Sequence, residues 1–106
     1  MEVMNIFDNL PLDLSKEVFE QIASKANMRI ERIVSSGHVT PDGSWYDQVE
    51  TEWVLLLQGY AEILFANEST PRQLHPGDHL LILPHHKHRV VKTSNKPKTI
   101  WLAVFY

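Results

Sequence analysis

Two short blocks of sequence constrain the fold of this chain more than any other feature. Residues 52–59 read EWVLLLQG and residues 77–88 read GDHLLILPHHKH, and only the seventeen residues 60–76 separate them. Each block has the length and apolar content of one strand and is bordered by polar side chains. The blocks therefore predict two neighbouring strands whose ends carry groups suited to binding or catalysis.

Turn-forming residues divide much of the remaining chain into short segments. Proline, glycine, asparagine and serine recur from residue 41 to residue 97. Short strands with frequent turns indicate an all-β barrel or sandwich rather than alternating strands and helices. The strands predicted from this pattern span residues 29–34, 44–48, 52–58, 61–66, 73–74, 79–83, 88–93 and 99–105.

The first 26 residues carry a weaker pattern. A chain of 106 residues has room for one domain, and we assign residues 1–16 to an ordered N-terminal arm and residues 17–106 to a single barrel domain. Within residues 14–26 the apolar side chains recur at helical spacing, although part of the segment could also extend. We favour a strand that returns through a turn at residues 25–27.

Charge and composition narrow the classes of partner. A formal net charge of −3 and a pI near 6.0 argue against nucleic acid. The chain has no cysteine, so a metal ion would need histidine, carboxylate, amide or water ligands. No segment is apolar for long enough to span a bilayer, and the first residues lack the pattern of a secretory signal. We therefore expect a cytoplasmic protein that binds neither nucleic acid nor membranes.

Glu52 stands at the start of the first block. The alternation along residues 52–58 predicts a strand buried on both faces, with the Glu52 carboxylate among apolar neighbours. A carboxylate in such a place is paired, protonated or bound to a metal, because an isolated buried charge costs several kcal/mol or more. The alternative is a residue at the mouth of the barrel that water still reaches.

The second block ends in three closely spaced histidines, His85, His86 and His88. Neutral imidazole is the commonest protein ligand for metals, and with carboxylate or amide oxygen it suits several divalent ions. On an extended segment His86 and His88 would share a face, whereas a turn after Pro84 could instead bring His85 and His88 together. Each single histidine could equally be a solvated loop residue.

The spacing within both blocks resembles the two motifs of the cupin superfamily. The first motif of that family runs from a His-x-His pair through a glutamate to a glycine, and the second runs from a glycine through a proline to a histidine. Glu52 and Gly59 match the first spacing, and Gly77 and His88 match the second. The short spacer and the sequence WYDQ at residues 45–48 are similar to a group of uncharacterised small bacterial cupins. The resemblance implies a jelly-roll β-barrel and a homodimer that pairs through edge strands and N-terminal arms.

This chain departs from the family pattern at the metal ligands. The His-x-His pair falls either on Trp45 and Asp47 or on Tyr46 and Gln48, and neither pair contains histidine. Of the four ligands common in cupins, only Glu52 and His88 carry over.

The resemblance then implies that further metal ligands come from four candidates. Asp47 is the best third ligand by charge and Gln48 is a weaker one. His85 and His38 are the other two donors that could reach the barrel mouth.

Two functional hypotheses follow. In the first, Asp47, Gln48, Glu52 and His88 bind Zn, Fe, Mn or Ni at the barrel mouth, and Glu52 or Asp47 orients or deprotonates a substrate. The resemblance then allows an oxygenase or isomerase acting on a small organic acid or a sugar-like molecule.

The second hypothesis is a binding module without a metal or a reaction. In it Trp45, Tyr46 and Trp53 line an apolar pocket for a small molecule. The residues that we expect to contact a substrate or ligand are Trp45, Tyr46 and His85. Fold-level likeness cannot choose between the two hypotheses, because one fold carries many functions.

Overall fold

The computed structural model describes residues 1–106 and contains strands without any helix. The chain accordingly has no helix long and apolar enough to cross a membrane. The eight strands, in chain order, are β1 (Val18–Lys25), β2 (Met28–Ser35), β3 (Glu52–Gln58), β4 (Ala61–Phe65), β5 (Arg72–Leu74), β6 (His79–Ile82), β7 (His88–Thr93) and β8 (Thr99–Phe105).

The strands form two sheets that face each other across one core. The larger sheet has the order β1-β2-β8-β3-β6, the smaller has the order β5-β4-β7, and every paired neighbour is antiparallel. Buried side chains alternate with more exposed ones along β3, β4 and β8, as expected when one face of each sheet packs on the core. The prediction of an all-β jelly-roll barrel is confirmed.

Most predicted strands are present. The bounds predicted for β3, β7 and β8 agree with the structure, and the ambiguous segment 14–26 contains strand β1, as we favoured. The prediction of a strand over residues 44–48 is wrong. That segment makes a single bridge, in which Tyr46 and His88 exchange backbone hydrogen bonds of 2.8 and 3.1 Å.

The prediction that β3 is buried on both faces is also wrong. Glu52, Val54 and Leu56 are buried against the core, whereas Trp53 and Leu55 on the opposite face are only half-buried. The larger sheet has no layer of helices over its outer face, so water reaches that side of the strand. Glu52 is therefore a polar group at the first inward position of β3.

The glycine that follows β3 is required by close packing. Gly59 has a φ of +89°, a conformation that side chains disfavour. A Cβ atom at this position would lie 2.5 Å from the Ser94 hydroxyl and 2.9 Å from the Cα atom of Thr99. The turn between β3 and β4 therefore accepts no larger residue without moving the backbone of β8.

The N-terminal arm is attached to the barrel through one buried guanidinium group. Arg32 on β2 donates hydrogen bonds to the carbonyl oxygens of Ile6, Asp8 and Asn9 over 2.7–3.1 Å. The same side chain pairs with Glu20 on β1 at 2.7 Å. These contacts satisfy a buried charge and hold residues 6–9 against the larger sheet.

Candidate functional site

A cavity of about 70 Å³ opens between the two sheets. Nine of its thirteen lining residues are hydrophobic, and the other four are Glu17, Gln48, Glu52 and His88. The hydrophobic members come from both sheets and from the 44–48 segment, and they are Phe19, Ile33, Tyr46, Val54, Ile63, Ile82, Val90, Trp101 and Phe105. The cavity is therefore an apolar chamber with a small polar wall.

The polar wall is built around Glu52 and His88. Both residues are buried, and Glu52 Oε1 lies 3.7 Å from His88 Nε2. His88 Nδ1 donates to the carbonyl oxygen of His86 at 2.9 Å, because a carbonyl can only accept. In the neutral imidazole, His88 Nε2 is then an acceptor without a hydrogen bond of its own. The ring is also stacked on Tyr46, with centroids 5.4 Å apart.

The charge of Glu52 is set by opposing contacts. Burial is the largest influence and raises the pKa of the Glu52 carboxyl group above its ordinary value of 4.5. A hydrogen bond of 2.9 Å from Gln48 Nε2 and the nearby His88 act in the opposite direction and lower it. Because burial dominates, the folded protein holds a proton on Glu52 more readily than the unfolded chain does.

Side chains alternate along residues 45–48, and the alternation determines which of them reach the cavity. Tyr46 and Gln48 line the chamber, whereas Trp45 and Asp47 do not. Asp47 instead accepts a hydrogen bond from His85 Nδ1 at 2.8 Å, and Trp45 lies beneath the guanidinium of Arg89. The inward pair is therefore Tyr46 and Gln48, which answers the question of register left open by the sequence.

The remaining histidines lie outside the chamber. His85 has a φ of +58° in the turn before β7, and both it and His86 are exposed. The His86 ring packs on Phe65, with centroids 4.6 Å apart. His38 accepts a hydrogen bond from the Ser36 amide at 2.9 Å and does not line the cavity. Of the histidines considered in the sequence, only His88 reaches the cavity.

Sequence reasoning missed Glu17, which brings a second carboxylate to the cavity. Its Oε2 atom accepts a hydrogen bond from the hydroxyl of Ser35, and Trp101 Nε1 in turn donates to Ser35 Oγ at 3.3 Å. Burial raises the pKa of Glu17, although Ser35 and His38 act against that shift. The available signal was the inward spacing of Glu17 and Phe19 in an extended reading of residues 14–26.

The donors in the cavity do not fit a resident metal ion. Beside the Glu52–His88 pair, Tyr46 and Gln48 are weak ligands. Glu17, the other strong ligand that lines the cavity, does not converge with the pair. No three histidine, aspartate or glutamate side chains converge closely enough to hold an ion. Burial is also the largest influence raising the pKa of Tyr46, which keeps its phenol neutral. Structural and catalytic metal sites use three or more protein ligands, so this set is one short.

Comparison with known proteins gives matches among solved structures only. No protein-family model matches the chain, and no curated protein is similar to it. A crystal structure from Ralstonia eutropha, described as a "putative mannose-6-phosphate isomerase", is 36% identical and has a TM-score of 0.94. The match covers 99% of this chain and 97% of that one.

Two more distant structures share the fold. A cupin superfamily protein from Desulfitobacterium hafniense is 18% identical over 91% of this chain and 82% of its own, with a TM-score of 0.74. An RmlC-like cupin from Methanocaldococcus jannaschii with a double-stranded β-helix fold is 13% identical over 91% of this chain and 84% of its own, with a TM-score of 0.70. Together with the two-sheet barrel, these matches lead to one conclusion: the chain has the cupin double-stranded β-helix fold and belongs to the same family as the Ralstonia protein.

Proposed function

We propose that this cupin binds a small molecule inside its barrel, with the Glu52–His88 pair as the polar end of the site and without a resident metal ion. One observation carries the proposal. The apolar chamber ends at His88 Nε2, which accepts no hydrogen bond from the protein and lies 3.7 Å from Glu52 Oε1. An acceptor that faces the cavity and has no partner in the protein is available for a hydrogen bond from a ligand.

The polar wall calls for a ligand that donates hydrogen bonds. Because His88 Nδ1 holds its proton against the His86 carbonyl, the facing Nε2 atom accepts. The Oε1 atom of Glu52 already accepts a hydrogen bond from Gln48, and the carboxyl group has further lone pairs that can accept. A hydroxyl or amino group in the cavity, within hydrogen-bond distance of both Glu52 and His88, would therefore find acceptors, while the rest of the ligand contacts apolar walls.

The size of the chamber limits the ligand. Its volume of about 70 Å³ is roughly half of the ~150 Å³ cavity that admits benzene. Pockets that enclose drug-sized molecules are several times larger, about 300–1,000 Å³. The enclosed part of the ligand is therefore a group of a few heavy atoms, and a larger molecule would have to extend through the mouth beside Phe19 and Tyr46, which are the exposed members of the lining.

Saturation-transfer NMR on isopropanol in the presence of a chelator tests this proposal. We expect saturation transfer from the wild type and its loss in Val90→Phe, which fills the chamber. Val91→Phe is the matched control, because Val91 follows Val90 on β7 and does not line the cavity. If Val90→Phe fails to fold, Val54→Ile adds one methyl group to the same chamber. If a folded Val90→Phe or Val54→Ile variant gives the same saturation transfer as the wild type, the proposal is contradicted.

A metal-dependent enzyme, the first hypothesis from the sequence, is the second candidate. The name of the Ralstonia structure and the placement of Glu52 beside His88 favour it. His88 also has its other ring nitrogen fixed by a carbonyl, as metal-binding histidines usually do. A metal site here would need a third ligand. The amide oxygen of Gln48 could supply it, or Asp47 could do so once its hydrogen bond to His85 is broken.

Elemental analysis of untagged protein separates the two candidates. Near-stoichiometric Zn, Fe, Mn or Ni that is lost in both Glu52→Ala and His88→Ala would establish the metal candidate and overturn the metal-free proposal. We expect no stoichiometric metal, since two strong ligands bind a divalent ion weakly. The expectation of a homodimer stays a prediction, and light scattering after size exclusion would test it.

A further inference from the structure

We propose that the ligand of this chamber is a small organic ammonium cation. This inference rests on the proposed function and adds the charge of the ligand. Among the thirteen residues that line the cavity, Glu17 and Glu52 are acidic and none is lysine or arginine. Arg29 acts on Glu52 from outside the lining, but it is already paired with Glu31 and Glu50. An anionic ligand would therefore face two carboxyl groups with no cation in the cavity wall, whereas an ammonium group would be attracted by both.

Glu17 is held in place by a chain of hydrogen bonds. Trp101 donates to Ser35, and the Ser35 hydroxyl donates to one oxygen of Glu17. Glu17 precedes β1 and Glu52 begins β3, so the two carboxylates reach the chamber from different parts of the larger sheet. Both raise the pKa of Tyr46, after the larger influence of burial, which places the phenol within the electrostatic reach of each.

Aromatic rings supply the second feature that suits a cation. Phe19, Tyr46, Trp101 and Phe105 line the same chamber as the two carboxylates. The face of an aromatic ring attracts a cation, and cages of such rings recognise alkylated ammonium groups. The guanidinium of Arg29 already lies over the Phe105 ring, 4.0 Å from its centroid. The other three rings remain available to a ligand. Apolar rings and carboxylates together favour an organic cation over a hydrated ion.

A metal ion is the other cation that two carboxylates could attract, and the geometry opposes it. The carboxylates do not converge with His88 into a group of three ligands. Separated acceptors suit an ammonium group, whose several N–H donors point in different directions. The unpartnered His88 Nε2 adds one more acceptor on the same side as Glu52. The cation is therefore a small alkylammonium group with its hydrocarbon part against the apolar walls.

Three probes that share an isopropyl group separate the charge of the head group from the shape of the hydrocarbon. Isopropylammonium, isopropanol and isobutyrate carry a positive, a neutral and a negative head group on the same branched hydrocarbon. We would measure their affinities at neutral pH and low salt by NMR titration of the wild type, of Glu17→Gln and of Glu2→Gln. Glutamine can still accept the Ser35 hydrogen bond, so Glu17→Gln removes charge without removing the support. Glu2→Gln is the control for net charge, because Glu2 is exposed in the arm.

We expect isopropylammonium to bind the wild type about tenfold more tightly than isopropanol, since charge-assisted hydrogen bonds are stronger than neutral ones. Isobutyrate should not bind. The preference for the cation should fall to about two- to threefold in Glu17→Gln and stay unchanged in Glu2→Gln.

Two results would overturn the inference in different ways. If isopropanol binds as tightly as isopropylammonium, or if isobutyrate binds best, the chamber is a binding site but not one for cations. If none of the three probes binds the folded protein, the proposed function fails together with the inference.

Discussion

Two carboxylate–histidine pairs lie close together at one end of the barrel, and they differ in nearly every physical respect. Asp47 and His85 are hydrogen-bonded at 2.8 Å, with side chains 40% and 62% exposed. Glu52 and His88 are 3.7 Å apart, with side chains only 11% and 5% exposed. The shorter pair is surrounded by water, which screens its charges, whereas the longer pair faces an apolar chamber. Burial, rather than separation, makes the second pair the better candidate for function.

The same contrast separates neighbours in sequence. Asp47 and Gln48 are adjacent, yet alternation along an extended backbone sends the first outward to His85 and the second inward to Glu52. His85 and His88 are likewise separated by a turn, in which His85 has a positive φ. Residues that a motif places together therefore divide into a surface pair and a cavity pair.

The largest expected effect comes from removing one histidine of each pair. His88→Ala should lower the free energy of unfolding by about 2–4 kcal/mol, because it empties a packed site beside Tyr46 and Phe65 and leaves the His86 carbonyl without its donor. His85→Asn should change it by less than about 0.5 kcal/mol, since asparagine tolerates the positive φ. Urea unfolding monitored by fluorescence measures both. Equal losses would remove the distinction between the pairs.

A smaller difference is expected between the adjacent residues Gln48 and Asp47. Gln48→Ala removes a half-buried hydrogen bond to a carboxylate and should cost about 1–2 kcal/mol of unfolding free energy. Asp47→Ala removes an exposed contact and should cost at most about 0.5 kcal/mol. The same urea experiment gives both values. A greater loss from Asp47→Ala would mean that the outward residue is the structural one.

The buried pair should also make stability depend on pH. Burial raises the pKa of Glu52 above its ordinary value of 4.5, so the folded state keeps that proton to higher pH than the unfolded chain. The stabilisation is full below pH 4.5 and is lost as the pH rises through the folded pKa. Glu52→Gln should therefore gain stability relative to the wild type between pH 4 and pH 8. Parallel unfolding curves for the two proteins over that range would contradict the assignment.

The smallest effect is the coupling within the surface pair. A double-mutant cycle with Asp47→Asn and His85→Asn should give a coupling free energy below about 1 kcal/mol at low salt, and still less at high salt. A cycle with Glu52→Gln and His88→Gln should give a larger coupling that changes little with salt, because burial limits screening. A salt-independent surface coupling would show that water does not reach Asp47 and His85 as the structure indicates.

Local sequence signals were sufficient for most of the fold. The predicted bounds of β3, β7 and β8 were confirmed because alternation and turn residues act within a few positions. The segment 44–48 contains the same kinds of residue and was wrongly predicted as a strand. Its backbone pairs through Tyr46 with His88, the first residue of β7, and through the Gln48 carbonyl with the amide of His85 in the preceding turn. Nothing within five residues could reveal how far that pairing extends.

The candidate site was only partly predictable. Resemblance to the cupin motifs singled out Glu52 and His88, and the structure places these two side by side. The inward direction of Tyr46 and Gln48 depends on a backbone bridge to a residue far along the chain, so sequence left it open. Glu17 lacked any motif and lay in a segment with both helical and extended patterns. Its place in the cavity follows from sheet packing rather than from its neighbours.

The three tryptophans allow one measurement to decide where a ligand binds. Trp101 lines the cavity, Trp45 lies on the outer side near Arg89, and Trp53 donates to His79 on the outer face of the larger sheet. Each indole N–H gives one NMR signal that Trp→Phe variants can assign. Titration with isopropanol should shift the Trp101 signal and leave the other two in place. A shift of Trp45 with no change at Trp101 would move the site to the exposed pair and contradict the account.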